Sequence, residues 1–493
     1  MPAYHNLTDD TIAAIATPSG IGALGILRVS GAKALPIADA IFKLPNSKKN
    51  VELSALPSHT VHFGLLMSAN GQILDEALAT IFKAPHSYTG HDTVEFSCHG
   101  SPYILRQALA AILQQGARLA EPGEFTLRAF INGKRNLAQA EAVADLIAAE
   151  SEGAHAVAMQ QMRGGFALQL QAMRQSLIHF ASLIELELDF AEEDVTFADR
   201  TQLKQLVTDL QQNIENLRSS FSLGNALKNG VNTVIAGRPN AGKSTLLNAL
   251  LNEERALVSD IPGTTRDTIE EVLHINGVSF RLIDTAGIRQ ATDAIEVMGV
   301  QKTYQKIEQA AVLIYLFDAV LTTPAQVKDD LMQLLLPQSV SGLKCLVVAN
   351  KLDAWQKQYP QNAAIDPLKY LPQTSNTNLN AEKTVEYVFL QISALNHQGL
   401  GQLRQTLYNL VLENQSLNNA SQMVISNARH YEALLRASQA LNEVQSGIKA
   451  KLTTDLLAHH LRDALYHLGS ITGSEIVPDD ILGSIFSKFC IGK

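Results

Sequence analysis

Two spacings of apolar residues follow one another along the chain and divide it into regions. Between about residues 20 and 125, short apolar stretches such as GILRVS, HTVHFGLLM, ILDEALATIFKA and DTVEFSCHG are separated by Gly, Pro and Asn turns. Stretches of this length and composition are typical of strands. The segment SANGQ is the clearest hairpin turn among them. The pattern predicts an N-terminal domain of mixed α and β structure.

From about Lys134 the apolar spacing becomes helical, and the residues are mostly Ala, Leu, Glu and Gln. One series at steps of three and four is Phe166, Leu170, Met173, Leu177, Phe180 and Ile184. A second series is Leu203, Leu206, Leu210, Ile214 and Leu217. Each series lines one face of a helix. The acidic segment DFAEEDVTFADR lies between them, and a solvated turn is favoured over a metal cluster there.

Residues 231 to about 413 alternate apolar strands with helical segments, which indicates a mostly parallel sheet with helices on both faces. Helical texture returns after Asn414. The sequence therefore predicts an α/β domain inserted into a helical one. The predicted domains are 1–133 (α+β), 134–228 and 414–493 (the two parts of the helical domain) and 229–413 (the inserted α/β domain).

The composition limits the class of protein. A chain of 493 residues is too long for one core, and 46% hydrophobic with 18% charged residues is ordinary for a folded protein. No run of about 18 apolar residues offers a membrane span, and the N-terminus lacks the pattern of a secretory signal. Three widely spaced cysteines favour the reducing cytoplasm. A net charge of −9 argues against a surface that binds nucleic acid everywhere.

The segment GRPNAGKS, Gly237 to Ser244, matches the pattern G-x-x-x-x-G-K-[ST] and lies between a predicted strand and helix. Backbone N–H groups of such a glycine-rich turn face a β-phosphate, Lys243 adds a positive charge, and the Ser244 hydroxyl binds Mg²⁺. The pattern predicts a nucleotide-binding P loop.

Three later motifs follow in the order that is typical of a GTPase. DTAG begins at Asp284, where a carboxylate and a backbone N–H can serve Mg²⁺ and the γ-phosphate. NKLD ends at Asp353, whose carboxylate accepts the N1 and N2 hydrogens of guanine. SAL begins at Ser393 and completes the base pocket. Between the first two motifs, SDIPGTTRD resembles a switch loop in which Thr265 binds Mg²⁺.

These motifs give a set of predicted nucleotide-binding residues. They are Asn240, Ala241, Gly242, Lys243, Ser244, Thr245, Ser259, Asp260, Ile261, Pro262, Gly263, Thr264, Thr265, Asp284, Thr285, Ala286, Gly287, Asn350, Lys351, Asp353, Ser393 and Ala394. Many GTPases place glutamine directly after the glycine of D-x-x-G, but this position is Ile288. An apolar side chain cannot orient water, so a partner protein, a bound cation or another acid such as Glu296 must contribute.

Two further features leave alternatives open. Cys490 lies near the end of the sequence, in SIFSKFCIGK, where it can be a lipid-anchor cysteine, a core residue or a reactive thiol. The lipid-anchor interpretation is weak because Gly492 and Lys493 do not fit a prenylation box. His460, Asp463 and His467 share a helical face, but their spacing favours a solvated polar face over a zinc site.

The sequence resembles the MnmE (TrmE) family, GTPases of tRNA wobble-uridine modification. The resemblance covers essentially the whole chain and rests on GRPNAGKS, DIPGTTRD, DTAGIR followed by Glu296, PGEFTLRAFINGK and the terminal FCIGK. It implies a multidomain protein with an α+β N-terminal domain for folate binding and dimerisation, a helical central domain and an inserted Ras-like P-loop G domain.

The resemblance also implies cofactors and site residues. Potassium would supply the positive charge of an arginine finger, bound by the Asn240 side chain and main-chain oxygens of Ser259, Ile261 and Thr264, while Glu296 would orient the hydrolytic water. Pro262 departs from the small or varied residue of relatives and would stiffen this loop. The residues implied to bind 5-formyltetrahydrofolate are Arg28, Glu95, Lys134 and Lys493, with Cys490 carried toward that site as a catalytic thiol.

The function implied is that of a potassium- and magnesium-dependent GTPase. As a homodimer, and with an MnmG-type flavoprotein in a heterotetramer or larger complex, it would add a carboxymethylaminomethyl or aminomethyl group at C5 of the wobble uridine of certain tRNAs. The alternative is a GTP-switched factor for ribosome or complex assembly, without one-carbon chemistry. A ribosome-binding GTPase should carry a basic module, and the flanks of this G domain are acidic or neutral.

Overall fold

A computed structural model describes most of the chain. The described residues are 10–45, 51–189, 199–255, 270–284, 307, 310–335, 343–361, 364–372, 385–412, 423–450, 452–474, 479–487 and 489–492. They divide into two compact units, of which unit 1 comprises Met1–Ala148, Ala158–Asn216 and Arg429–Lys493, and unit 2 comprises Ala149–Val157 and Leu217–Ala428. Across these residues, no helix is long and apolar enough to cross a membrane.

The elements are numbered in chain order. The strands are β1 (Ile12–Ile15), β2 (Leu24–Ser30), β3 (Phe42–Lys43), β4 (Thr60–Met67), β5 (Ile73–Phe82), β6 (Thr93–His99), β7 (Arg118–Leu119), β8 (Val231–Ala236), β9 (Glu270–Ile275), β10 (Val278–Asp284), β11 (Val312–Asp318), β12 (Lys344–Asn350) and β13 (Glu386–Gln391). The α-helices are α1 (Ala34–Ile41), α2 (Pro102–Gln114), α3 (Glu124–Ile131), α4 (Leu137–Ile147), α5 (Glu152–Met162), α6 (Gly165–Asp189), α7 (Arg200–Ser219), α8 (Phe221–Asn229), α9 (Lys243–Arg255), α10 (Pro324–Leu335), α11 (Leu352–Gln358), α12 (Pro367–Tyr370), α13 (Leu400–Leu412), α14 (Ala428–Ala450), α15 (Thr454–Thr472) and α16 (Asp479–Phe486).

Unit 1 contains a seven-stranded sheet in the order β3-β4-β5-β6-β2-β1-β7. Its strand pairs are antiparallel except β1 with β7, and helices α1 and α2 pack on one face. Leu27 and Val29 are buried against these helices, so Arg28 between them lies on the opposite face. The four strands predicted from the sequence are confirmed as β2, β4, β5 and β6. The predicted hairpin turn joins β4 to β5, where Ser68 N donates to Gln72 O over 2.8 Å.

The helical part of unit 1 confirms both predicted helices, with one shift in each. In α6, which packs on α15, the buried series of the prediction continues through Leu177, but Ala181 is buried in place of Phe180. In α7, Val207 is buried and Leu206 only half-buried. A step of four keeps closer to the 3.6-residue turn at these points than a step of three. The acidic segment between the two helices lies almost entirely outside the described residues.

A buried ion-pair cluster joins α4 to α14 and α15. Arg429 donates two hydrogen bonds to Glu141, each over 2.9 Å, and His430 Nε2 lies 2.8 Å from Glu141 Oε2. Arg429 also donates to the carbonyls of Ser470 and Ile471. Burial opposes ionisation of Glu141, but His430 and Arg429 hold its pKa down at about 2. The cluster thus holds the start of the last part of unit 1, which begins at Arg429, against α4 and α15.

Unit 2 contains a six-stranded sheet in the order β13-β12-β11-β8-β10-β9, parallel except for β9. Successive residues of β11 alternate between two cores, one shared with helices α8, α9 and α13 and the other with α10 and α12. Both faces of β11 are thus buried, as expected for a parallel strand covered by helices on each side. The α/β architecture predicted for this region is confirmed, and the chain is multidomain.

Candidate functional site

The P loop leaves the carboxyl end of β8, which pairs in parallel with β10 and β11 at the middle of the sheet. Gly237 has a φ of +151°, and a Cβ there would lie 2.0 Å from the carbonyl oxygen of Leu316. Gly242 has a φ of +96°, and its Cβ would lie 2.3 Å from Asn350 Nδ2. Both glycines of the G-x-x-x-x-G pattern are required by close approach as well as by backbone conformation.

The side chains of the loop follow the chemistry expected at phosphates. Lys243 begins helix α9, and its Nζ donates to the carbonyls of Gly237 and Arg238 over 2.7 and 3.0 Å. Ser244 and Thr245 are exposed in the first turn of α9, where helix N–H groups favour anions. Asn240 is exposed and has a φ of +59°. Positive charge, donors and hydroxyls therefore converge at one end of the sheet.

Asn350 joins the P loop to the predicted base pocket. Its buried amide donates from Nδ2 to the Ala241 carbonyl over 2.9 Å, and its Oδ1 accepts from the Ala394 N–H over 3.0 Å. The backbone of the loop after β13 is joined to α11 by Leu352 N–H, which donates to Ile392 O over 3.0 Å. One asparagine thus fixes the spacing between three motifs that lie far apart in the sequence.

Asp353 and Ser393 form the wall that was predicted to read guanine. Ser393 Oγ donates to Asp353 Oδ1 over 2.6 Å and accepts from the Asn396 N–H over 3.3 Å. This pair fixes the aspartate, as a guanine-selective carboxylate requires. The structure brings Asp353, Ser393 and Ala394 together with Asn350, and Lys351 begins the turn into α11 with a φ of +62°.

Asp318 supports this pocket and was missed by sequence reasoning. Its Oδ2 lies 2.7 Å from Lys351 Nζ, and its Oδ1 accepts from the Val320 N–H over 2.9 Å. The available signal was its place at the carboxyl end of β11, the edge where ligands bind in parallel sheets. It holds the lysine of NKLD against the sheet.

Several predicted residues lie outside the described residues. They are Ser259, Asp260, Ile261, Pro262, Gly263, Thr264, Thr265, Thr285, Ala286, Gly287, Glu296 and Lys493. Asp284 ends β10 beside Ile235 of β8, which puts its backbone at the P-loop end of the sheet. The predictions for the switch loop, the potassium ligands and the hydrolytic water stay predictions.

A second cluster lies on the sheet of unit 1. Arg28 and Glu95 are directly opposite in the β2–β6 register, and Arg28 Nε lies 2.7 Å from Glu95 Oε1. Arg28 Nη1 also donates to the carbonyl of Gly492 over 3.2 Å, across 464 residues of sequence. The structure thus joins two of the four predicted folate residues to the segment that contains Cys490.

Aromatic rings surround this arginine. The Arg28 guanidinium lies 5.6 Å from the ring centre of Tyr88 and 5.5 Å from that of Phe125. Arg135 lies 5.5 Å from the same Tyr88 ring, and the Tyr88 hydroxyl is 2.9 Å from Thr126 Oγ1. Tyr88 therefore lies next to the guanidinium groups of both Arg28 and Arg135, since aromatic faces attract such groups. Tyr88 and Arg135 were missed by sequence reasoning.

Lys134, the third predicted folate residue that the structure describes, borders the loop that contains Tyr88. A Cβ on Gly90 would lie 3.3 Å from Lys134 Cε, so the lysine side chain passes directly over this glycine. Lys134 is exposed. The structure thus puts Lys134 beside the loop that contains Tyr88.

The segment around Cys490 is fastened on both sides. Phe486 and Phe489 are buried against Leu127 and Leu137. Gly492 has a φ of +99°, and a Cβ there would lie 2.7 Å from the Ile15 carbonyl oxygen. Cys490 between these anchors is exposed, which does not fit a core-filling role.

The other two cysteines differ from Cys490. Cys98 and Cys345 are buried, and burial raises their pKa values to about 11 and about 12. A thiol that remains protonated at neutral pH is a poor nucleophile. Cys98 and Cys345 are therefore structural residues.

His460, Asp463 and His467, the alternative metal set of the sequence analysis, lie on α15. His467 Nε2 lies 3.4 Å from Asp463 Oδ1, an i,i+4 contact along the helix. Throughout the described ranges, no group of three His, Cys, Asp or Glu side chains is arranged to hold a metal ion. The interpretation of His460, Asp463 and His467 as a polar helix face stays a prediction.

Comparison with known proteins covers nearly the whole chain. Residues 11–134 match the family model for the GTP-binding protein TrmE N-terminus, and residues 137–490 match the model for the MnmE helical domain. Two similar relatives are proteins named tRNA modification GTPase MnmE. The one from Cytophaga hutchinsonii is 49% identical over 98% of this chain and 98% of its own. The one from Flavobacterium johnsoniae is 47% identical over 99% of this chain and 100% of its own. The chain therefore belongs to the MnmE family of tRNA modification GTPases.

Proposed function

We propose that this chain is a potassium-activated GTPase that adds a carboxymethylaminomethyl or aminomethyl group at C5 of the wobble uridine of certain tRNAs. A folate supplies the one-carbon unit, and a flavoprotein of the MnmG type is the partner. The observation that carries the proposal is the contact of Arg28 with Gly492, because it brings the Cys490 segment to the strand pair that holds Arg28 and Glu95, two of the predicted folate residues. A GTPase without one-carbon chemistry has no evident use for this arrangement.

The chemistry of the unit 1 cluster suits a folate. Glu95 offers a carboxylate that can accept hydrogen bonds from the amino and amide groups of a pterin. Arg28, Lys134 and Lys493 offer cations for the carboxylates of the glutamate tail. Phe125 and Tyr88 add ring faces beside Arg28. The exposed Cys490 thiol would serve as nucleophile or proton donor toward the one-carbon unit that a bound folate would supply.

The donor atoms of the P loop suit the two proposed metal ions. The Ser244 hydroxyl and the Asn240 amide oxygen are hard oxygen ligands of the kind that Mg²⁺ and K⁺ prefer. Ser244, with Thr265, would hold magnesium, and Asn240, with Ser259, Ile261 and Thr264, would hold potassium. Potassium supplies positive charge to the transition state. The arginine of the P loop, Arg238, is paired with Asp330.

Hydrolysis itself requires an oriented water and a stabilised leaving group. Glu296 orients the water, since Ile288 cannot do so. Lys243 binds the phosphates, and the Asn350–Ala394 contact keeps the base pocket at a fixed distance from them. Glu296 therefore changes the stabilisation of the transition state rather than the ground-state affinity for GTP.

A homodimer through unit 1 is part of the proposal. The sheet face opposite α1 and α2 exposes Val61, Phe63 and Leu78 at 58%, 52% and 42%. Phe63 and Leu78 are paired in the β4–β5 register, so they form one continuous apolar area. Exposed apolar areas of this kind mark contact surfaces. The same proposal includes the three predicted domain boundaries, after residues 133, 228 and 413, and a cytoplasmic location.

The proposal is tested by mass spectrometry of wobble nucleosides from a strain that lacks the chain, with and without a plasmid-borne copy. Loss of the C5 group without the chain and recovery with it are expected. Unchanged nucleosides, with a defect in ribosome assembly instead, would favour the alternative of an assembly factor. Calorimetric titration with 5-formyltetrahydrofolate, on wild type and on Arg28→Gln and Glu95→Gln variants, tests the folate site separately.

The potassium part has its own measurement. GTP hydrolysis is expected to be at least about tenfold faster in potassium than in sodium chloride of equal strength, because sodium is too small for the proposed ligand cage. Asn240→Ala should remove most of this difference. Equal rates in both salts would remove potassium from the mechanism.

A further inference from the structure

One carboxylate ties the P loop to strand β11 and helix α10. Arg238 Nε lies 2.7 Å from Asp330 Oδ2, and Arg238 Nη2 lies 2.8 Å from Asp330 Oδ1. The Tyr315 hydroxyl donates to the same Oδ2. Asp330 therefore receives three donors from two different elements. Planar two-point pairing of this kind fixes orientation as well as distance.

The supports of Asp330 are rigid. Tyr315 is 1% exposed, and burial raises the pKa of its phenol, which keeps the hydroxyl protonated as a donor. Val327 and Leu331 are fully buried and anchor α10 on either side of Asp330 in sequence. The Asp330 carboxylate is therefore fixed in position, and the position of the Arg238 side chain depends on it.

Arg238 lies in the part of the P loop where neighbouring residues restrict the backbone conformation. Tyr315 is opposite Ala236 in the β11–β8 register, and Gly237 has no room for a Cβ against Leu316. The carbonyls of Gly237 and Arg238 accept the two hydrogen bonds of Lys243. A rotation of the backbone at residue 238 would therefore move an acceptor of the phosphate-binding lysine.

We infer that Asp330, supported by Tyr315, is a positioning residue for the nucleotide: it holds Arg238, and through it the P loop, in the shape that binds the β-phosphate. The same contact neutralises Arg238, so this guanidinium adds no charge of its own to the phosphates. The inference goes beyond the proposed function and needs only nucleotide binding at the P loop. It holds whether or not folate and potassium take part.

The test compares the full-length wild type with Asp330→Asn, Arg238→Ala and the double variant. Asp330→Asn keeps the size of the side chain and removes its charge. Asp329→Asn is the matched control, because Asp329 is the neighbouring acid on α10 and is exposed. The affinity for GDP and for xanthosine diphosphate is measured by displacement of a fluorescent nucleotide, and thermal unfolding is recorded for every variant.

The expected result is a rise of about tenfold in the dissociation constant for GDP in Asp330→Asn and in Arg238→Ala. The double variant should show no larger loss than either single variant, since both remove one contact. The preference for GDP over xanthosine diphosphate should not change, because Asp353 and Ser393 set it. Asp329→Asn should bind as wild type does.

Three outcomes would overturn the inference. The first is GDP affinity equal to wild type in Asp330→Asn. The second is tighter binding, which would mean that a released Arg238 reaches the phosphates and that Asp330 restrains a ligand. The third is a double variant whose loss of binding free energy equals the sum of the losses in the two single variants. Tyr315→Phe is the second line of evidence if Asp330→Asn folds poorly, and it should raise the GDP dissociation constant by a smaller factor at an unchanged melting temperature.

Discussion

The nucleotide site of unit 2 and the Arg28 cluster of unit 1 are built in opposite ways. The nucleotide site uses short motifs that each fold locally at the end of a strand, and Asn350 then joins them. The Arg28 cluster uses single residues on β2 and β6 and a carbonyl 464 residues away from Arg28. A site made of local motifs does not need the C-terminal segment, whereas the Arg28 cluster is closed by that segment.

Because the Arg28 cluster depends on the segment that contains Cys490, we expect the largest effect from a substitution in that segment. Cys490→Ser should reduce the wobble-uridine modification to near the background, because a serine hydroxyl is a far weaker nucleophile than a cysteine sulfur. Folding and GTP hydrolysis should stay close to wild type, since the Cys490 side chain is exposed. Wobble nucleosides, the hydrolysis rate and thermal unfolding are measured in cells or protein that contain only the variant.

Ile491→Ala is the matched control for Cys490→Ser, because Ile491 is the exposed neighbour on the same segment. It should retain modification. Normal nucleosides with Cys490→Ser would end the reactive-thiol interpretation. A parallel loss of melting temperature and of every activity would point to packing instead.

In the nucleotide site, Asp353→Asn should weaken GTP binding about a thousandfold, because the N1 and N2 hydrogens of guanine lose their acceptor and meet a donor. Xanthosine triphosphate should become the preferred substrate, as its base offers an oxygen where guanine offers an amino group. Hydrolysis of both nucleotides over a range of concentrations provides the comparison. If the variant hydrolysed GTP normally at low concentration, the assignment of the base pocket would be wrong.

A third change separates binding from chemistry within the nucleotide site. Glu296→Ala should lower kcat about a hundredfold and leave the affinity for GTP nearly unchanged, because orienting water matters in the transition state. Single-turnover hydrolysis and equilibrium binding of a non-hydrolysable analogue give the two quantities. Glu296→Gln, which keeps the size of the side chain, should lose most of the activity as well. A large fall in affinity would assign Glu296 to binding.

The smallest effect is expected from the ion-pair cluster of unit 1. Glu141→Gln should destabilise unit 1 by about 2 kcal/mol at pH 7, because Arg429 and His430 lose a buried anion. Nucleotide binding by unit 2 should not change. Urea unfolding is followed by far-ultraviolet circular dichroism, whose signal does not depend on tryptophan. Curves recorded with and without GDP distinguish the two units.

The pH dependence of that effect has a definite sign. Glu141 has an ordinary pKa of 4.5 and a native pKa of about 2, so its ionised form is stabilised in the folded protein. This contribution is fully present above pH 4.5 and is lost as the pH falls toward 2. The gap in stability between wild type and Glu141→Gln should therefore close over that range. A gap that stayed constant down to pH 2 would mean that Glu141 is not the titrating group.

The same contrast explains what the sequence could and could not predict. The P loop, Asp353 and Ser393 were predicted because each motif contains both its ligand groups and the turn that orients them. Asp318 and Asp330 were missed, since their roles arise only when parallel strands and α10 are packed together. Arg28 and Glu95 are ordinary charged strand residues in isolation, and family resemblance alone selected them. The sequence assigned Phe180 and Leu206 to buried helix faces, whereas the buried side chains are those of the next residues, Ala181 and Val207.

The route of the chain through its two units has a consequence for synthesis on the ribosome. Unit 2 is nearly contiguous, so its sheet can form while later residues are still being translated. Unit 1 needs residues from Arg429 onward, and the Gly492 contact with Arg28 forms only after those residues leave the exit tunnel. A chain released early would therefore bind nucleotide and yet lack the segment with Cys490. The contact between Arg28 and Gly492 can therefore form only after unit 2 has been translated.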